Sequence, residues 1–102
     1  MKRILFSPQA LIDIEEIREY ISIQFGEKSA AKNIALVMHD IKLLEQFPLQ
    51  GPGIWERYGI ESDYHYIYSN KNYVFYRIED DTVKIIRILD ARRDFLNILF
   101  GI

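Results

Sequence analysis

Cysteine is absent from this 102-residue chain. Without a thiol, no disulfide can support the fold and no thiolate zinc site can form. That composition suits a reducing compartment, and we predict a cytoplasmic protein. With 49% hydrophobic residues the chain can fill one core without covalent cross-links. A chain of this length leaves no room for two domains, so we predict a single domain over residues 1–102.

Long apolar runs and an excess of charge of one sign are also missing. Apolar runs are short, such as Ile98–Phe100, and none approaches the about 20 residues that a membrane span needs. The residues before Ser7 are too few for a signal-peptide core. The net charge is -2, with no strongly basic segment. We therefore predict no membrane association, and the charge argues against a general nucleic-acid binder.

The familiar motifs of catalysis are missing as well. The glycines form no dinucleotide or phosphate-binding loop, and no serine lies in a nucleophile-elbow sequence. His39 and His65 are the two histidines, and neither has a partner at metal-ligand spacing. We interpret both as structural residues, and we predict no metal and no cofactor.

The first half of the chain predicts two helices. Ser7 and Pro8 form a typical helix start, and Gly26 a typical stop, so the first helix should span residues 8–25. A second helix should follow from Glu27 to Phe47, where Pro48 ends it. Both carry apolar residues at steps of three and four, which predicts an antiparallel hairpin. The apolar residues of these two stripes are Ala10, Ile14, Ile17 and Ile21, then Ala30, Ile34, Val37, Ile41 and Leu44. Acidic residues of the first helix lie mostly on its other faces: Asp13, Glu15, Glu16 and Glu19.

The second half is rich in residues that favour β-strands. Together with a first strand at residues 2–6, we predict a meander of three strands. These are either 56–60 or 64–69, then 72–78, then 82–89. The fold class is therefore α+β, in the order β-α-α-β-β-β, with the helical hairpin packed on a small antiparallel sheet.

Neither face of the last predicted strand is polar. One face carries Val83, Ile85, Arg87 and Leu89, and the other carries Lys84, Ile86 and Ile88. One face must pack on the helices, and the other needs a separate cover. We expect that cover to be either the C-terminal tail, a short helix within residues 95–100, or a bound partner.

An arginine cluster follows where the last strand leaves the sheet. Arg87 precedes the segment Asp90–Asp94, which contains Arg92 and Arg93, and Arg77 lies on the neighbouring strand. Such arginines can hold phosphates or a carboxylate-bearing peptide. The alternative is mutual pairing with nearby acidic residues, namely Asp90, Asp94 and Glu79. The seven tyrosines can stack on bases, but half-buried sheet packing is the favoured interpretation.

Several motifs in order resemble the RelE/ParE superfamily of type II toxin–antitoxin toxins, over almost the whole chain. The pattern is closer to the ParE branch, because the hairpin is long and carries Tyr20-Ile21 before Phe25-Gly26. The matching segments are residues 7–10, 17–21, 25–26, 44–48, 73–78 and 83–94.

The resemblance implies a growth-inhibiting toxin that a cognate antitoxin neutralises in a toxin–antitoxin hetero-oligomer, as in plasmid stabilization systems. ParE-like toxins poison DNA gyrase, which is the function we predict. RelE-like toxins instead cut mRNA on the ribosome, and a ribosome-dependent endoribonuclease is the alternative. A third possibility is an inactive family member that is retained as an interaction module.

Two positions argue against an enzyme. Tyr73 stands where many members have an arginine, and Asp90 stands where many have a histidine. A carboxylate cannot stabilise an anionic transition state as a cation does. If the chain is a nuclease, the resemblance leaves the four arginines of the cluster, Arg77, Arg87, Arg92 and Arg93, as its catalytic candidates. For contact with the target or antitoxin we predict Arg87, Arg92, Arg93 and Phe95.

Overall fold

A computed structural model describes all residues from 1 to 102, as four strands and four helices with one 3₁₀ turn. The elements are β1 (Arg3–Phe6), α1 (Pro8–Phe25), α2 (Glu27–Lys42), the 3₁₀ turn (Leu43–Glu45), α3 (Ile54–Tyr58), β2 (His65–Ser69), β3 (Asn72–Glu79), β4 (Thr82–Asp90) and α4 (Phe95–Phe100). None of the helices is both long and apolar enough to span a membrane. The predicted α+β class and the short C-terminal helix are confirmed.

The predicted limits of α1 are confirmed at both ends. The Ser7 hydroxyl accepts a hydrogen bond from the Ala10 amide at 3.0 Å, and Pro8 is the first helical residue. Gly26 ends the helix with a φ of 96°, a conformation that side chains other than glycine rarely adopt. α2 is shorter than predicted, because its last turn tightens into the 3₁₀ turn ahead of Pro48.

The sheet has the order β1-β4-β3-β2 and is mixed. β2, β3 and β4 form the predicted antiparallel meander, but β1 pairs with β4 in parallel. The prediction of a fully antiparallel sheet is therefore wrong for β1. The helical hairpin lies in the crossover from β1 to β2, which run parallel, and the two antiparallel steps of the meander then leave β4 parallel to β1 as well.

Of the two positions proposed for the second strand, the later one is confirmed as β2. The earlier one, residues 56–60, overlaps the helix α3, which ends at Gly59 with a φ of 68°. Tyr58, the aromatic residue of this segment, favours a strand by its type but has a different role in the structure. Tyr58 packs its ring against Tyr66 and Phe95, at centroid distances of 6.3 and 5.7 Å.

Two hydrophobic clusters lie on opposite faces of the sheet. The inner cluster lies between the sheet and the hairpin and contains Ala10, Val37, Ile41, Leu44, Ile67, Val74, Tyr76, Val83, Ile85 and Ile88. The outer cluster consists of Ile54, Phe75 and Leu89. Apolar residues of α4 pack on it, so the C-terminal tail covers the outer face, as one of the two alternatives predicted.

A β-bulge in β4 changes which residues face the helices. Tyr76 pairs with Ile85 and Phe75 pairs with Arg87, so Ile86 has no opposite residue. A bulge reverses the alternation of faces beyond it. Ile88 therefore joins Ile85 in the inner cluster, whereas Leu89 lies in the outer one. The predicted grouping of Ile85 with Leu89 on one face is wrong for this reason.

Tyr76 and His65 fix the loop that follows α2. The buried Tyr76 hydroxyl donates to the Pro48 carbonyl at 2.7 Å and accepts from the Gly51 amide at 3.1 Å. His65 Nδ1 lies 3.0 Å from the Gly51 carbonyl oxygen, and its ring stacks on that of Tyr76 at 5.5 Å. A structural role for His65 is thereby confirmed.

Candidate functional site

A groove of about 930 Å³ lies between the helical hairpin and the end of the sheet where β4 finishes. Its helical wall includes Ile17, Tyr20 and Ile21 of α1, and its sheet side includes Tyr68 and Ile88. The turn between β2 and β3 and the turn after β4 form its rim. We refer to this feature as the groove.

A buried ion pair fixes β4 beside the groove. Asp13 is 3% exposed, and its carboxylate oxygens accept from Arg87 Nε at 2.8 Å and Nη2 at 3.0 Å. The same carboxylate accepts the Ile88 amide at 2.9 Å. The β1 pairing ends at Phe6 opposite Ile85, so Asp13 supplies the acceptor that a longer strand would have provided.

Arg87 is therefore not a free cation. The hydrogen bonds that Arg87 donates to Asp13 are the main reason that the pKa of Arg87 is raised. The sequence pattern put Asp13 among acidic residues away from the apolar stripe and left Arg87 to pair with acids near its own strand. Both expectations are wrong, because the bulge and the end of β1 bring α1 against this stretch of β4.

The guanidinium of Arg92 is also paired with a carboxylate, which belongs to its own turn. Its Nε and Nη2 lie 3.0 and 2.9 Å from the two carboxylate oxygens of Asp90. This contact lowers the pKa of Asp90 and raises that of Arg92, and the neighbouring Tyr20 also contributes to the raised pKa of Arg92. The predicted pairing of Asp90 with the arginine cluster is confirmed.

Arg93 is the arginine of the groove that forms no ion pair. Its amide donates to the Asp90 carbonyl at 3.0 Å, but its guanidinium has no carboxylate within 4.0 Å. The ammonium group of Lys71, on the opposite rim, likewise has no carboxylate within 4.0 Å. A hydrogen bond of 2.9 Å from the Ala91 amide to the Lys71 carbonyl joins the two rims.

Arg77 does not meet the other arginines. It pairs across the sheet with Lys84, not with Arg87, and its guanidinium lies 2.6 Å from Asp63 and 3.3 Å from Glu79. It does not line the groove. Of the four arginines predicted as a set, only Arg92 and Arg93 lie together there.

Phe95 lies on the outer face of the sheet, away from the groove. Its ring packs against Phe75 at 5.2 Å and Tyr73 at 5.3 Å. Asp94, which the sequence offered as a partner for arginine, accepts the Asn97 amide and caps α4 instead. The tyrosines Tyr64, Tyr66 and Tyr73 are partly buried against the outer cluster, so the sheet-packing interpretation is confirmed for them.

Asn33 is one of the groove residues that sequence reasoning missed. Its Oδ1 is shielded from solvent and has no hydrogen-bond partner. The available signal was its spacing, since it follows Ala30 by three residues and precedes Val37 by four, on the buried side of α2. Tyr20 was also missed as a neighbour of Arg92.

These contacts describe a surface suited to binding. Arginines 77, 87 and 92 are held by carboxylates, and no group of three or more His, Cys, Asp or Glu is placed to hold a metal ion. The groove offers an apolar wall and the side-chain cations of Arg93 and Lys71, which form no ion pair.

Comparison with known proteins agrees with this architecture. The sequence profile described as "ParE toxin of type II toxin-antitoxin system, parDE" matches residues 4–95. The solved "Chromosomal ParDE TA system from P. aeruginosa" has a chain that is 18% identical, with a TM-score of 0.75, covering 88% of this chain and 96% of its own. A chain of the "E.coli DinJ-YafQ complex" is 15% identical, with a TM-score of 0.59 and coverage of 99% and 100%. No curated protein sequence matches.

Proposed function

This chain belongs to the ParE toxin family of type II toxin–antitoxin systems, and from that we propose that it arrests growth by binding DNA gyrase. In this proposal it acts in the cytoplasm as a single domain spanning residues 1–102. It works by occupying its target and not by cutting RNA. A cognate antitoxin holds it inactive in a hetero-oligomer.

The ion pairs formed by the arginines are the observation that favours gyrase over the ribosome as the target. A nuclease that cuts RNA needs cations free to stabilise the developing negative charge. Here Asp13 holds Arg87, Asp63 and Glu79 flank Arg77, and Asp90 holds Arg92. Each carboxylate also repels the phosphates of an RNA substrate. This favours contact with a protein over catalysis on mRNA.

The two departures from the nuclease pattern support the same choice. Tyr73 packs against the outer cluster, with its ring centroid 5.3 Å from that of Phe95, so its role is in the packing of the fold. Asp90 carries a negative charge stabilised by Arg92, so it supplies no proton to a leaving group near neutral pH. We propose Arg93, with Arg92 beside it, as the target contact of the toxin.

A gyrase assay tests the proposal directly. Purified chain is added to DNA gyrase and relaxed plasmid, and supercoiling and gyrase-linked DNA cleavage are measured. We expect stoichiometric inhibition, and in cells we expect filamentation with a DNA-damage response after induction. The Lys42→Glu variant is a matched control, because Lys42 is an exposed cation outside the groove.

The same experiments identify the alternative. If gyrase keeps its full activity at an excess of toxin while mRNA is cut in register with codons, the protein is a RelE-like endoribonuclease. If induction has no effect on growth and neither target responds, the chain is an inactive interaction module. Either result contradicts the gyrase proposal.

A further inference from the structure

Helix α2 carries an apolar face that the fold leaves uncovered. Leu36, Leu43 and Phe47 are 44%, 38% and 58% exposed. They follow one another at steps of seven and four, so they lie on one side of the helix and of the turns that continue it. We refer to these three residues as the exposed α2 face. We propose that this face is the interface of a homodimer, in which α2 of one copy packs antiparallel on α2 of a second copy.

The exposed α2 face is separate from the surface that α2 buries and from the groove. The buried residues of α2 lie on another side of the helix, and they are Ala30, Ile34, Val37 and Ile41. Beyond the helix, Leu49 extends the apolar surface and lines an open depression together with Leu43 and Phe47. No residue of the exposed α2 face lines the groove, so the proposed interface does not include Arg93.

A two-fold axis gives this face a complement in its own sequence. In an antiparallel pair with the axis between positions 39 and 40, each residue lies opposite the one equally far beyond the axis. Leu36 then lies opposite Leu43 of the second copy, and symmetry makes the same contact twice. Both leucines are exposed in the single chain, so this contact removes apolar surface from water.

The same register pairs the polar residues beside the leucines. His39 lies opposite Asp40 of the second copy, and Lys32 lies opposite Phe47. The Ser69 hydroxyl donates to Asp40 Oδ2 at 2.6 Å, which holds this carboxylate in place and leaves Oδ1 for another donor. An imidazole N–H is such a donor, and its hydrogen bond to a carboxylate is charge-assisted. The ammonium group of Lys32 is attracted to the ring of Phe47.

These complements favour a second copy over other occupants of the face. The phosphates of a nucleic acid would meet the Asp40 carboxylate near the middle of the face. An unrelated protein would have to supply every complement, whereas a second copy supplies all of them by symmetry. The face is smaller than the about 800 Å² per partner of a standard interface, so we expect a dimer of micromolar affinity.

Sedimentation equilibrium of the purified full chain tests the inference. We expect twice the 12.1 kDa mass of one chain at high micromolar concentration, and dissociation on dilution. Leu36→Lys places an unpaired charge in both leucine contacts and should weaken dimerisation about a hundredfold. Leu11→Lys, at an exposed leucine of α1, should leave it unchanged. At low concentration both variants should melt like the wild type, which distinguishes a lost interface from a lost fold.

A charge pair across the interface tests the register. Leu43→Glu alone should weaken dimerisation as Leu36→Lys does. In the double variant Leu36→Lys/Leu43→Glu, the register brings opposite charges together at both contacts. Dimerisation should then recover to within about tenfold of the wild type, because the two substitutions compensate each other.

Disulfide trapping measures the same register independently, because the chain has no cysteine of its own. Leu36→Cys chains are mixed with Leu43→Cys chains that carry an affinity tag, and mild oxidation should join them in a mixed disulfide. Neither variant alone should cross-link efficiently. Equivalent positions of the two copies lie about 10 Å apart along the helices, and a disulfide spans at most about 7 Å between Cα atoms. Leu11→Cys in place of either chain is the control.

Several results overturn the homodimer. These are a chain that stays monomeric at every concentration, a dimer that Leu36→Lys leaves intact, a double variant that does not recover, and the absence of a mixed disulfide. A monomer whose inhibition of gyrase is lost in Leu36→Lys assigns the face to gyrase and overturns the homodimer as well. The inference does not rest on the proposed target, so a dimer without effect on gyrase contradicts the proposed function alone.

Discussion

The carboxylate of Asp13 and the guanidinium of Arg87 form a two-point ion pair between α1 and β4, with N–O distances of 2.8 and 3.0 Å. Asp13 is buried, and the side chain of Arg87 is 19% exposed. The third bond of Asp13, to the Ile88 amide, caps the part of β4 that β1 does not reach. The Asp13 carboxylate thus joins helix α1 to β4, the strand that leads into the turn of Arg92 and Arg93.

Removing this carboxylate should destabilise the fold strongly. Asp13→Ala leaves the Arg87 charge and the Ile88 amide without a partner, so we expect a loss of about 3 kcal/mol in the free energy of unfolding. Urea denaturation measures it. Glu15→Ala, at an exposed position of the same helix, should change stability by less than about 0.5 kcal/mol. Similar losses for both variants would contradict the role of Asp13.

The loop after α2 should tolerate a methyl group at one glycine and not at another. A Cβ on Gly51 would lie 2.0 Å from the backbone oxygen of Tyr66, so the loop or β2 must move. We expect Gly51→Ala to lower stability by about 3 kcal/mol. A Cβ on Gly53 meets only the flexible end of Glu56, at 3.1 Å, and Gly53→Ala should be nearly neutral. Thermal melts of the two variants compare them directly.

Tyr76→Phe should weaken the same loop and change the alkaline limit of stability. The variant leaves the Pro48 carbonyl and the Gly51 amide without a partner, which should cost about 1–3 kcal/mol. Burial raises the pKa of Tyr76 above its ordinary 10.0. Its contribution is therefore fully present below pH 10 and is lost as the pH rises through the higher folded pKa. The wild type should thus lose stability more steeply above pH 10 than Tyr76→Phe, measured by denaturation at a series of pH values.

The ion pair of Asp90 and Arg92 should make the stability of the fold depend on pH in the acidic range. The hydrogen bond from Arg92 holds the pKa of Asp90 below its ordinary 3.8. Such a group stabilises the fold above pH 3.8, and the contribution is lost as the pH falls through the lower folded pKa. In Arg92→Ala, an NMR titration should find the Asp90 pKa moved upward, while Arg57→Ala leaves it in place. An unchanged titration in Arg92→Ala would exclude the ion pair.

Toxicity should depend more on Arg93 than on Arg92. The guanidinium of Arg93 has no acidic partner, whereas that of Arg92 is already bonded to Asp90. We expect Arg93→Glu to weaken gyrase inhibition about tenfold or more, and Arg92→Ala to have a smaller effect. Colony counts after induction and the supercoiling assay measure both. Equal effects, or full toxicity of Arg93→Glu, would exclude the proposed contact.

Local signals in the sequence were sufficient for the helical part of the fold. Ser7, Pro8 and Gly26 define α1 to the residue, because a cap and a stop act within one turn of the chain. The turns on either side of β3 were equally predictable from the sequence. The segment of α3 was not, since its aromatic residues favour strands, and packing on the outer cluster overrides that preference.

Features that depend on pairing between distant segments were beyond reach of the sequence. The parallel direction of β1 and the bulge at Ile86 both depend on which strands meet and in which register. The burial of Asp13 follows from those two facts. Within the site, the turn at Arg92 and Arg93 was predictable because it is local. The separation of Arg77 from Arg87 was not, since it depends on register.

The pairing of β1 with β4 has a consequence for the timing of synthesis. β1 leaves the ribosome before β4, whose partner residues follow it along the chain by 79 positions. Contacts this distant along the chain form late, because loop closure precedes them. The growing chain therefore holds an unfinished sheet until β4 has been made. A cell that makes both proteins together has that interval in which to have antitoxin ready.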